Sequence, residues 1–143
     1  MALQALPTQL HLQIVSADKS LVNETVDEVE IPGADGYFGV LPGHTPLLAL
    51  LGTGNLWYRV GSETHHLVIS SGFAEVQPGG VTILAEIAEK ADEIDVARAE
   101  GAKKRAEERL GRPSMEMDFE RARLALLKSL IRLQVASRAR IRS

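Results

Sequence analysis

"GYFGVLPGHTPLLALL", residues 36–51, is strongly apolar yet is interrupted by three glycines, two prolines and one histidine. Pro42 and Pro46 each lack a backbone N–H, and each would clash with a preceding helical turn, so the stretch fits neither a central strand nor a helix. It reads as a shaped loop feeding a strand, with apolar side chains partly at a surface. An apolar loop at a surface points to a partner.

The sequence on either side of this loop is β-rich. The runs "HLQIV", "TVDEVEI", "NLWYRV", "THHLVIS" and "VTILAEI" favour β-branched residues and are bounded by "PGADG", "LGTG", "VGSE" and "QPGG". That spacing predicts a small all-β sandwich or barrel over residues 1–88. After residue 90 the β signal stops. "EIDVARAEGAKKRAEERL", the breaker "GRPS" and "MEMDFERARLALLKSLIRLQVASRARIRS" predict a helical hairpin. The expected division is a β-domain over residues 1–89 and a two-helix domain over residues 90–143.

Charge divides at the same place. Residues 1–90 carry ten acids against three bases, and residues 91–143 carry nine acids against thirteen bases, within a total net charge of -3. Arg121, Arg123, Lys128, Arg132, Arg138, Arg140 and Arg142 fall in a final segment with no acid, which should seek an acidic surface. With 143 residues and 45% hydrophobic content the chain can build a real core. No apolar run approaches the ~18 residues that span a bilayer, and no secretory leader is evident, so membrane association is expected only through another protein. The absence of cysteine excludes disulfides and thiolate metal sites and fits a reducing compartment.

At about 100° per residue, Ala99, Ala102, Ala106 and Leu110 form a narrow small-residue stripe on the first helix, with Arg98, Arg105 and Arg109 on another line. On the second helix, Phe119, Ala122, Leu126, Leu130 and Leu133 make an apolar stripe that Leu124, Leu127, Ile131 and Val135 widen. Arg121, Lys128 and Arg132 lie apart from it. Two helices meeting through alanine bury little, so the hairpin is expected to be able to open.

"GYFGVLPGHTPLL", "SSGFAEVQPGGVTILAE" and "EIDVARA", in this order, resemble the epsilon-subunit family of the bacterial F-type rotary ATP synthase over nearly the whole chain. The resemblance implies a β-sandwich of about ten strands and a C-terminal two-helix domain. It also implies a non-catalytic central-stalk subunit that couples proton flow through the c-ring to ATP synthesis and restrains ATP hydrolysis, at the cytoplasmic face of the cell membrane. Its expected partners are the gamma subunit, the c-ring and the catalytic alpha and beta subunits. Carried over residue by residue, Asp35, Gly36, Tyr37, Phe38 and His44 would lie at the c-ring and gamma interface. Arg121, Arg123, Lys128 and Arg132 would form an inhibitory tail.

The same resemblance implies a regulatory ATP held by Glu89, Ile94, Asp95, Arg98, Ala99, Arg105, Lys128 and Arg132, with no cofactor otherwise required. Lys128 stands where ATP-binding relatives carry arginine, keeping the charge and losing the bidentate fork. Taken singly, Asp95 equally reads as a helix cap and the arginines as a solvated face.

His44, His65 and His66 do not make a metal site on this reading, because a regular strand sets His65 and His66 on opposite faces. The sequence contains no nucleophile elbow, H-E-x-x-H or phosphate-binding loop, so no catalytic machinery is expected. A nucleic-acid binder would use the basic tail, but the acidic sandwich and scarce aromatics argue against it. The remaining alternative is a sandwich interaction module with a basic helical tail outside the ATP synthase.

Overall fold

The computed structural model describes residues 6–112 and 118–140, with the Arg140 side chain outside that description. Arg142 and the proline and serine of the "GRPS" breaker also lie outside the described residues. Eight strands come first: β1 (Leu10–Ser16), β2 (Ser20–Val26), β3 (Glu28–Gly33), β4 (Gly36–Val40), β5 (Leu47–Leu50), β6 (Thr53–Val60), β7 (Glu63–Gln77) and β8 (Gly80–Lys90). A 3-10 turn (Ala91–Glu93) leads to α1 (Val96–Gly111) and α2 (Phe119–Arg140). The strands hydrogen-bond in the order β2-β1-β8-β7-β6-β3-β4, with β5 on β7.

The count is eight rather than the expected ten, and the reason is a corner in two long strands. β7 pairs β6 through residues before Ser71 and β5 through residues after Gly72, while β8 follows β7 along both limbs. Ser71 (φ 62°) and Gly72 (φ 118°) make that turn in the left-handed region. A Cβ on Gly72 would stand 1.9 Å from the Leu84 carbonyl oxygen, so only glycine passes there. The bent sheet closes over a single core of Leu10, Leu12, Ile14, Ile31, Leu56, Leu67, Ile69 and Ile83, all fully buried. In β1, Leu10, Leu12 and Ile14 alternate with more exposed residues, as period-2 patterning requires, whereas Leu67 and Ile69 of β7 flank Val68, which is buried on the other face.

The 36–51 stretch is more regular than a loop. Gly36–Val40 is the edge strand β4, closed against β3 by a two-residue turn, and only Leu41–Pro46 is irregular. An edge strand needs one hydrogen-bonded neighbour, so prolines just beyond its end cost no ladder bond.

The hairpin docks on the sandwich. Val135 and Ala136 of α2 bury themselves against Val68 of β7 and Ile94, with Ala91, Val96 and Ile131 around them. Ala99 and Ala106 on α1 and Ala122 and Ser129 on α2 are also buried, so small residues let the two helices approach closely. Ser129 satisfies its hydroxyl by donating to the Ala125 carbonyl at 2.6 Å. The expected α2 stripe is therefore corrected: Phe119, Leu124, Leu127 and Leu130 are exposed. α2 is apolar around most of its circumference, and the face carrying the smallest side chains is the one that packs.

Candidate functional site

Three regions bear on function, and two of them carry residues singled out from the sequence. The first is the seat of the hairpin. Arg132 reaches from α2 to Glu89 near the end of β8: Nη2 donates to Oε2 at 3.0 Å and Nε lies 2.8 Å from Oε1. The Nε approach is off the hydrogen-bond axis, so the second contact is charge attraction without an aligned bond. Both side chains are about three-quarters buried or more.

Asp95 is the N-cap of α1, its carboxylate accepting the Arg98 N–H at 3.0 Å. Ile94 and Ala99 are buried and serve packing. Arg98 and Arg105 are exposed and Lys128 is half-buried, and none of the three has an ion pair among the described residues. The Arg105 guanidinium lies over Gly101 one turn back. In the docked state Glu89 and Arg132 thus engage one another, and Asp95 serves the backbone.

The second region is the β3–β4 end. Ala34 and Asp35 form its exposed turn, exposed Gly36 opens β4, and Tyr37 is half exposed with its hydroxyl accepting the Asn55 N–H at 3.1 Å. Phe38 turns inward against the core. His44 lies beyond the far end of β4, about 13 Å along the strand at ~3.3 Å per residue. There its Nδ1–H donates to the Thr45 carbonyl at 2.6 Å, and Gly43 N–H donates to Pro78 O at 2.8 Å. Asp35, Gly36, Tyr37 and Phe38 thus lie at or beside the β3–β4 turn, and His44 lies beyond the other end of β4.

The third region was not singled out from the sequence. On the outer face of the second limb, Leu50 pairs Phe73, Phe73 pairs Leu84, and Leu84 pairs Val15. This row crosses β5, β7, β8 and β1; Leu50, Phe73 and Leu84 are each half or more exposed, and Leu48 at 70% lies beside them. The signal was present in "GFAEV" and "VTILAE": the outward phase of each strand, set by buried Ala74, Val76, Val81 and Ile83, also holds a large apolar residue. An apolar row four strands wide is a surface awaiting cover.

Among the residues expected to form an inhibitory tail, Arg132 is held by Glu89 and Arg123 pairs Glu120 at 3.0 Å on the same helix. Arg121 is exposed at the start of α2, where Asp118 caps its backbone N–H. His65 stacks on Tyr58 at 4.9 Å and His66 bonds Asn55 through Nδ1, on opposite faces of β7. Among the described residues no group of three or more His, Asp or Glu side chains could hold a metal. None of the described helices is long and apolar enough to cross a membrane.

Residues 9–91 match the family model for the ATP synthase delta/epsilon chain β-sandwich domain, and residues 92–137 match the one for its long α-helix domain. The chain belongs to the ATP synthase delta/epsilon family. It is 48% identical over 130 residues to the ATP synthase epsilon chain of Nitratidesulfovibrio vulgaris (strain DP4), covering 91% of this chain and 97% of that one. The ATP synthase epsilon chain of Syntrophobacter fumaroxidans is 46% identical over the same shares of the two chains. Among solved structures, a chain in the Euglena gracilis mitochondrial ATP synthase (OSCP/F1/c-ring) superimposes with a TM-score of 0.70 at 26% identity, covering 96% of this chain and 82% of that one. A chain of the Tetrahymena thermophila central stalk and c-ring, at 11% identity and TM-score 0.55, shares the fold. Epsilon chains are non-catalytic subunits of the ATP synthase, and the same role falls to this member of the family.

Proposed function

We propose that the sandwich joins the gamma subunit and the c-ring, coupling ion flow to ATP synthesis at the cytoplasmic face of the membrane, while the hairpin restrains ATP hydrolysis. The observation that carries this reading is the exposed apolar row Leu50, Phe73, Leu84 and Val15, which lies on the second limb of β7, past the corner at Ser71–Gly72 from the α2 seat at Val68. Gamma takes this row, and the exposed turn at Asp35–Tyr37 takes the polar loops of the ring. In the docked state the hairpin is held off; once released, Arg121, Arg123, Lys128 and Arg132 reach acidic segments of the alpha and beta subunits. Co-purification tests the first half. Full chain should retain gamma on a column, and Phe73→Glu with Leu84→Glu should lose it without a change in Tm. Unchanged retention removes the row from the interface.

A regulatory ATP at the hairpin belongs to the same reading. What supports it is three cations of the hairpin, Arg98, Arg105 and Lys128, without an ion pair among the described residues, together with an Arg132 that already bridges hairpin and sandwich. ATP phosphates would draw Arg132 from Glu89 while keeping the helices together, since charge-assisted contacts to phosphate are strong. Calorimetry should show one site, lost in Arg98→Ala and tightened in Lys128→Arg. No heat at millimolar ATP leaves Asp95 a cap and these cations a solvated face.

A further inference from the structure

α2 crosses the outer face of β6 and β7, and near its C-terminal end a cleft of about 660 Å³ remains between helix and sandwich. Its charged and titratable lining is Glu28 and Glu30 from β3, Tyr37 from β4, Arg59 from β6, His66 from β7 and Arg138 from α2. Most of these are already committed. Arg59 Nε donates to Glu28 at 2.9 Å and Nη1 lies 3.5 Å from Asp27. The Glu30 carboxylate accepts the Trp57 indole N–H.

Arg138 has no ion pair among the described residues. His66 Nδ1 faces the Asn55 side-chain amide, 3.0 Å from Nδ2 and 3.2 Å from Oδ1. The neutral ring accepts from the amide nitrogen, and a protonated ring can donate to the amide oxygen after a flip. Asn55 therefore serves both states of the ring and discriminates between them little. Arg138 discriminates strongly, because it is present only when α2 is docked. His65, on the opposite face of β7, stays with the sandwich in either state.

We propose that His66 and Arg138 form a pH-sensitive latch: protonating His66 sets two cations against each other beneath α2 and releases the helix from the sandwich. Burial first, then Arg138 and His65, hold His66 below its ordinary value of 6.5 in the docked state. A base whose value is depressed on docking takes its proton more readily when undocked. Docking is then complete above about pH 6.5 and weakens as pH falls below it, so the docked-to-undocked ratio drops by at most about tenfold between pH 7.5 and 5.5. Any consequence for hydrolysis rests on the inhibitory reading above, whereas the effect on docking does not.

The chain has no cysteine, so exposed Ser62 and Ser137 can be replaced by cysteine and spin-labelled in the full-length protein. The distance distribution should shift toward longer separations at pH 5.5 and return at pH 7.5. In His66→Gln the shift should vanish, and in Arg138→Gln it should shrink, with unchanged circular dichroism at both pH values. A distribution that is the same at both pH values, or a shift that persists in full in His66→Gln, overturns the latch. If pH moves the distance as expected but not the inhibition of the reassembled complex, the latch stands and the inhibitory reading fails.

Discussion

Removing the Arg132 guanidinium should loosen the hairpin by an amount the geometry bounds. Its partner Glu89 is part-buried, and the side-chain exposures of 20% and 27% place the pair between a surface ion pair and a fully enclosed one. Surface pairs contribute about 0.2–1 kcal/mol, and breaking an enclosed pair costs about 3–5 kcal/mol because a buried charge is left alone. One aligned bond at 3.0 Å and one misaligned contact at 2.8 Å argue for about 1–2 kcal/mol here. That is a factor of roughly 5–30 in the docked-to-undocked ratio. Arg132→Met keeps the apolar stem and removes the charge. The assay is a double-mutant cycle with Glu89→Gln, read by spin-label distance between positions 62 and 137. Each single variant should lower the docked fraction, and the double variant should lose less than the sum, with a coupling of about 1–2 kcal/mol. Additive losses, or a docked fraction unmoved by Arg132→Met, would show that Val135 and Ala136 seat the helix by themselves.

Gly72→Ala forces a methyl onto the Leu84 carbonyl at the corner of β7, and expression should yield little folded protein by circular dichroism. Asp95→Ala removes the α1 cap, and a loss of about 1 kcal/mol should appear as a lower thermal midpoint of the helical signal. A fragment ending at Glu89 retains the whole sandwich core and should melt cooperatively and bind gamma, while exposing Val68. The Gly61 N–H and then Gln9 hold the Asp27 carboxyl below its ordinary 3.8, desolvation opposes them, and the Arg59 charge adds to them. The carboxyl's contribution to stability is therefore present above about pH 3.8 and lost as pH falls through the depressed value. Asp27→Asn should flatten that acid limb in a pH series of thermal melts.

The β-then-α order was legible because the two halves differ in period, turn residues and charge sign, and each difference comes from local chemistry. The corner at Ser71–Gly72 was not legible. "SSGF" reads as one point in a strand, and only the close approach of the Leu84 carbonyl explains the glycine. The number of strands was missed for the same reason. The seat of α2 was hidden by composition: with leucines on most sides of the helix, periodicity cannot choose a face. The decision falls instead to Val135 and Ala136 against the sandwich, and to Ala122 and Ser129, whose small side chains are buried where the helices pack. Asp95 illustrates a residue whose two readings the sequence leaves level, since a carboxylate before a helix serves a backbone or a ligand equally well. The outward Phe73 and Leu84 could have been found by phase alone, given which neighbours are buried.

The corner in β7 has a mechanical consequence. Val68, under α2, and Phe73, in the outward apolar row, are five residues apart on one continuous strand, with β8 hydrogen-bonded alongside through both limbs. No flexible connection intervenes between the two surfaces. A load applied at the apolar row is carried as shear across a paired ladder, which resists extension through many bonds at once, and it reaches the helix seat with little slack. The left-handed pair at Ser71–Gly72 acts as a stiff elbow in that path. A hinge at the same place would let one surface turn while the other stayed still; an elbow makes them turn together.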